Sequence, residues 1–153
     1  MKLDEYFALG QTQDLGSHIF TAEEIITFAR KFDPQPFHLS EEAAKNSVFG
    51  ALCASGWHTA SMWMRHNLLH AAPREWAGEG PKPEFGPSPG FQNLRWLKPA
   101  YAGDTIRFAR TSTAHRALTS RPGWRILNAH GEAFNSANEK IMGIDTAVLM
   151  KVA

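Results

Sequence analysis

The chain has 153 residues, 43% hydrophobic and 20% charged, the proportions of one ordinary globular domain long enough to bury a substantial core. Its formal net charge of +1 lacks the basic excess that a nucleic-acid surface needs. No run of about 18 apolar residues exists to span a bilayer, and the polar start MKLDEYFALGQTQDLG does not read as a signal peptide.

The single Cys53 cannot close an internal disulfide, and without an export signal the expected location is cytoplasmic. The first 20 residues have little helical period, although GSHIFT can form a strand with His18 and Phe20 on one face. TAEEIITFARKF predicts a helix. Thr21 and Glu24 have capping-box spacing, each side chain able to satisfy an orphan backbone N–H. Ile25, Phe28, Ala29 and Phe32 recur at i, i+3, i+4 and i+7 as one apolar stripe. Pro34 biases Asp33 away from the α region, so the helix should stop there. LSEEAAKN predicts a short helix capped by Ser40, with Glu41 and Glu42 at its positive end. SVFGALCASG is small and apolar and ends at Gly56. WHTASMWMRHNLLHAA predicts a third helix, apolar on most sides and so expected to be largely buried. Residues 71–90 are dense in proline and glycine and read as a loop too broken to join a sheet.

The period then changes to two. FQNLRWL puts Leu94 and Trp96 on one face, KPAYAGD is a turn, and DTIRFARTSTAHRAL puts Ile106 and Phe108 on one side. SRPG is a second turn. GWRILNAHGEAF and MGIDTAVLMKV follow, with Ile144, Thr146, Val148 and Met150 alternating. Helices first and consecutive strands after them predict an α+β domain, an antiparallel meander wrapped around the long apolar helix.

FDPQPFHLSEEA places an aspartate and a histidine in a stretch stiffened by two prolines. On residue types alone, Asp33 and His38 are either a turn residue and a core histidine, or two proton-handling groups at a fixed separation. In the second case Pro34 and Pro36 hold a non-helical segment in one shape. His66 and His70 are four apart, but no His-Glu-x-x-His pattern joins them and His58 makes no evident third ligand, so no metal is expected. Cys53 reads as a small core residue. Trp57, Met62, Trp63 and Met64 read as core or as the lining of an apolar tunnel. Lys98, Arg107, Arg110, Arg116 and Arg121 are cations available to phosphates, none of them assigned.

The whole chain resembles the MaoC-like dehydratase family of hotdog-fold proteins, which includes the R-specific enoyl-CoA hydratases. FTAEEIITFARKFDPQPFHLSEEAAKNSVFG is similar to the family's helix, its Asp-x-Asn-Pro-x-His motif and the following helix, with Gln35 at the usual asparagine. LCASGWHTASM is similar to the segment in which a small residue and a glycine open the central helix and a serine follows five residues later. Ser55 stands where proline is common, and Trp57 replaces a smaller or unbranched residue, which alters the pocket. LRWLKPAYAGDTI and NAHGEAF are similar to the family's Lys-Pro, Gly-Asp and Asn-x-x-Gly strands. The resemblance implies a single hotdog domain over 1–153. It implies that Asp33 and His38 hold a catalytic water, that Gly56 and the Trp57 N–H form an oxyanion hole, and that Ser61 orients the dyad.

The activity so implied is a hydro-lyase of fatty-acid metabolism, (R)-specific hydration of a trans-2-enoyl-CoA or the reverse dehydration of a 3-hydroxyacyl-CoA. No cofactor is implied beyond the CoA thioester as substrate, and the partner is a second copy in a homodimer or higher homo-oligomer. The rivals are a hotdog thioesterase and a non-catalytic acyl-CoA-binding subunit. For the 71–90 loop two readings stand: Trp76 and Phe85 border the acyl entrance, or the segment is an exposed linker.

Overall fold

In the computed structural model, which describes residues 1–72 and 74–153, a six-stranded antiparallel sheet curls around one long helix. Helices α1 (Leu3–Phe7), α2 (Ala22–Phe32), α3 (Pro36–Leu39) and α4 (Glu41–Lys45) lie before the central α5 (Gly56–Leu69), and β1 (Thr12–Ile19) separates α1 from α2. The remaining strands are β2 (Glu84–Phe85), β3 (Gly90–Trp96), β4 (Thr105–Ala117), β5 (Trp124–Phe134) and β6 (Lys140–Lys151). The sheet order is β1-β4-β5-β6-β2, and β3 also pairs with β6. The meander expected of the C-terminal half is present only over β4, β5 and β6: β3 does not pair with β4 across the KPAYAGD turn but with β6 at the far side, and β1 takes the place beside β4.

Trp63 holds the sheet to α5. Its side chain is fully buried, and its indole N–H donates to the Ala109 carbonyl of β4 at 3.0 Å. Opposite it on β5 is Gly131, where an added Cβ would lie 2.4 Å from the indole. A glycine is needed there because the ring occupies the volume of any side chain. Phe20, Ile25, Ile106, Phe108 and Met142 close the same core. Thr21 caps α2 by accepting from the Glu24 N–H at 3.2 Å. Ser40 caps α4 in the same way, accepting from Ala43 N–H.

Five local expectations require correction. Glu24 does not complete the capping box, because its carboxylate reaches His18 Nε2 at 2.6 Å instead. Phe32 leaves the apolar stripe and is 69% exposed, since α2 has already turned past the core. The N-terminus holds α1, whose Tyr6 and Phe7 pack with Leu127 and Met150 in a satellite cluster. Glu84 and Phe85, inside the segment read as too broken for a sheet, pair with Lys151 and Met150. Only one face of α5 is covered: His58, Thr59, Trp63 and His66 are buried, whereas Trp57, Met64 and Leu68 are exposed.

Candidate active site

Asp33 and His38 are placed by two prolines with different jobs. Pro34 stops α2, and Asp33 leaves the helix at φ −155°, ψ 69° while its N–H still bonds Ala29 O. Pro36 opens α3 at a position where the missing N–H costs nothing. The prolines thus bracket a short break between helices, and His38 rides on a helical turn rather than on the non-helical segment expected. His38 is buried, between Phe37 and Phe49.

The orientation of His38 is fixed from behind. Nδ1 lies 2.6 Å from the Cys53 carbonyl, which can only accept, so Nδ1 carries the proton. In the neutral ring Nε2 is then the lone-pair nitrogen, and it faces Asp33 Oδ2 at 3.5 Å. That separation is long for a direct bond and suits two groups that share one water. Asp33 is itself held on both oxygens. Ser55 Oγ donates to Oδ2 at 2.7 Å, and Gln35 Nε2 donates to Oδ1 at 2.7 Å. Burial pushes the Asp33 carboxyl up, but the bonds from Ser55 and Gln35 and the nearby His38 outweigh it and hold it below its ordinary value. Cys53 Sγ is 3.8 Å from His38 Nδ1, and burial raises that thiol to about 11, which keeps it neutral.

The same cavity, about 410 Å³, reaches the start of α5 and is lined by Asp33, His38, Gly56, Trp57 and Trp96 among others. Ser55 is the N-cap residue, so the Gly56 and Trp57 amides precede any intrahelical acceptor. The Trp96 indole lies against Gly56, where a Cβ would approach it to 2.4 Å, and it meets Trp57 edge-on at 5.0 Å. Ser61 is not at this site: it is exposed, and its hydroxyl donates to Trp57 O within the helix. Five residues past Gly56 is more than one turn along α5, away from the helix start. The hydroxyl on Asp33 is that of Ser55, a residue the sequence reading treated only as a departure from proline. Its signal was available, because serine just before a helix start is a capping residue whose side chain lies at the helix mouth. Gln35 was read as a departure too, yet its longer amide still reaches Asp33.

The other candidates separate clearly. Trp63 and Met62 belong to the core, Trp57 lines the cavity, and Met64 is exposed. Lys98 lines the cavity and pairs with Glu139. Arg107 covers the Phe134 ring and Arg121 the Trp124 ring, while Arg116 lies in a groove on the sheet. Arg110 lines a different cavity, together with Phe85. Trp76 packs edge-on against Tyr6 and donates to Gly80 O. Neither Trp76 nor Phe85 lines the dyad cavity, nor within one chain does any other described residue of the 71–90 segment. Among the described residues no group of three or more His, Cys, Asp or Glu side chains could hold a metal ion, and no helix is long and apolar enough to cross a membrane.

A sheet curled around a central helix, with an Asp–His pair at the mouth of that helix, defines the hotdog class. A model of the MaoC-like domain matches residues 7–122, and the chain belongs to this family, whose members include hydratases and dehydratases. The crystal structure of the MaoC-like dehydratase from Rhodospirillum rubrum is 34% identical, with a TM-score of 0.82 over 97% of this chain and 96% of its own. The (R)-hydratase from A. caviae involved in PHA biosynthesis shares the fold, at 21% identity and a TM-score of 0.66 over 95% of this chain and 96% of that one. A curated relative, uncharacterized protein YdeM of Bacillus subtilis (strain 168), is 40% identical over 62 residues. That match spans 40% of this chain and 43% of YdeM, less than half of the relative's length.

Proposed function

We propose that this chain hydrates a trans-2-enoyl thioester, or dehydrates the (3R)-3-hydroxyacyl thioester in reverse, with CoA as the carrier. The observation that carries the reading is the Cys53 carbonyl on His38 Nδ1, which leaves Nε2 as a base turned toward the Asp33 carboxylate inside a cavity. A water set to one side of the pair can bond both groups. Asp33, kept ionised, accepts one hydrogen of that water and positions its oxygen. His38 Nε2 takes the other proton as the oxygen bonds to C3. The C2=C3 electron pair moves into the thioester, and the charge that develops on its oxygen is met by the Gly56 and Trp57 amides at the start of α5. The imidazolium proton then passes to C2, so water has added across the double bond and the dyad is restored. Hydration needs no redox partner, since the atoms of water account for the whole product.

A second reading is favoured by Trp96. Its indole fills the space where a Gly56 side chain would point, beside the proposed oxyanion donors, and such a narrowed site fits an acyl-thioester-binding subunit without turnover. A panel of trans-2-enoyl-CoA substrates, followed at the conjugated-thioester absorbance and by free-thiol release, tests both. Loss of absorbance without thiol release is expected. Thiol release would make the chain a thioesterase, and binding with neither signal would make it a non-catalytic subunit. The functional unit we infer is a homodimer, because β3 is a sheet edge and the outer stripe of α5 is apolar.

A further inference from the structure

A second cavity, of about 280 Å³, lies beyond the other end of α5, where Ala71 and Ala72 line it, and shares no lining residue with the dyad cavity. Three cations face it, Arg74, Lys82 and Arg110, and no Asp or Glu does. Arg110 projects from β4 and is partly buried. Its guanidinium donates to Asn67 Oδ1 at 2.6 Å and to Gln13 Oε1 at 2.8 Å. Both acceptors are neutral amides. They fix the plane of the guanidinium and leave its charge uncompensated. Its Nε is buried and has no partner among the described residues, and no carboxylate there forms an ion pair with any of the three cations. Burial, and then the charge of Arg74, lower the Arg110 pKa, the sign of a cation that lacks a counter-ion.

An arginine taken out of water is ordinarily matched by a carboxylate, because an unpaired buried charge is costly. Here the match is missing while the guanidinium is held rigid, with spare N–H groups left on both terminal nitrogens. Such a fork suits a tetrahedral oxyanion, which takes two parallel N–H bonds from it. The rest of the wall is different in character: Tyr6, Phe7, Phe85 and Leu127 are apolar or aromatic. The volume equals that of roughly nine liquid waters, room for an oxyanion and a small ring but not for a nucleotide.

We propose that this cavity binds a small phosphate ester with an aromatic or apolar body. The phosphoryl oxygens lie on Arg110, Arg74 and Lys82, and the body rests against Phe7, Phe85 and Leu127. The site is independent of the reaction at Asp33 and His38.

Thermal unfolding at fixed ionic strength tests this, with phenyl phosphate, inorganic phosphate and CoA each measured against chloride. Phenyl phosphate should stabilise the protein at a lower concentration than inorganic phosphate does. Arg74→Gln and Lys82→Gln, both on the loop and tolerable to the fold, should each weaken phenyl phosphate on the order of tenfold, the weight of one charge-assisted bond. Arg110→Gln should abolish the response, and His38→Ala should retain it. An unaltered response in both loop variants would place binding elsewhere and overturn the assignment. Equal responses to the two phosphates would overturn the apolar body. A response to CoA alone, lost in the loop variants, would make the cavity part of the thioester path rather than a separate site.

Discussion

In the proposed reaction His38 and Asp33 each do one thing that the other cannot: the imidazole moves a proton, and the carboxylate stays charged to hold the water. Asp33→Asn and His38→Ala should therefore each lower kcat by roughly 100-fold or more, the usual weight of acid–base assistance. The double variant should be little worse than either single one, since both side chains act on one water. The serines separate by position. Ser55→Ala removes a donor from Asp33, so it should raise that carboxyl, read as a higher midpoint for its resonance in an NMR titration. Ser61→Ala should leave that midpoint unchanged, because its hydroxyl serves Trp57 O. The same bond makes a stability statement. The folded-state pKa of Asp33 is depressed, so its contribution is present above the unfolded value, near about 4, and is lost as pH falls through the lower folded value. Wild type and Asp33→Asn should then differ in Tm at neutral pH and converge in strong acid. A constant difference down to the lowest pH would remove Asp33 as the titrating group.

At the level of elements, Gly131 and Trp63 form one device. Gly131→Ala inserts a methyl into the indole, and overpacking of this kind costs about 1–3 kcal/mol. Trp63→Phe has its own cost, including the bond to Ala109 O, but in the double variant the two costs should fall short of additive in urea titrations. This contact also explains what was legible in the chain. Alternation in β4 to β6 pointed to the sheet, a local pattern with a local cause, whereas the Asp–His spacing alone left a structural pair and a proton-handling pair both open. The partner of Gly131 was not legible, since it lies on another element. The capping signal at Ser55 was legible, but its partner Asp33 was not, since it lies 22 residues away along the chain. Composition also misled. Proline and glycine in 71–90 hid the pairing of Glu84 and Phe85, which needs only two residues to fit. Trp76 in that segment packs on Tyr6, so Trp76→Ala should cost about 2 kcal/mol, less than a fully buried tryptophan, and leave acyl-length preference unchanged. A changed length preference would restore the segment as a border of the dyad cavity.

For the whole molecule, an apolar pattern on α5 was read as burial, yet one sheet covers one face only. Trp57, Ser61, Met64 and Leu68 recur along the uncovered face, and apart from Ser61 they are large and hydrophobic. Trp57 is 50% exposed and Leu68 is 72% exposed. The stripe continues through the Trp57–Trp96 contact onto β3, where Phe91 is also exposed, and to Leu97 just past its end. A sequence pattern cannot distinguish burial under the chain's own sheet from burial under a second copy, because both select the same side chains. The edge of β3 adds unpaired backbone groups beside this apolar surface, and such an edge invites another strand. A stable interface needs about 800 Å² from each partner, which a single stripe and an edge strand together can supply. We therefore expect sedimentation equilibrium to give twice the chain mass at micromolar concentration. Met64→Glu combined with Leu68→Glu should shift the protein to the chain mass without loss of β-sheet signal by circular dichroism, because neither side chain is buried in the fold. Phe91→Lys should do the same from the strand side, by setting a charge on the edge. A dimer that survives all three substitutions would have to form through a different face, and a monomeric wild type would leave this one uncovered by its own kind.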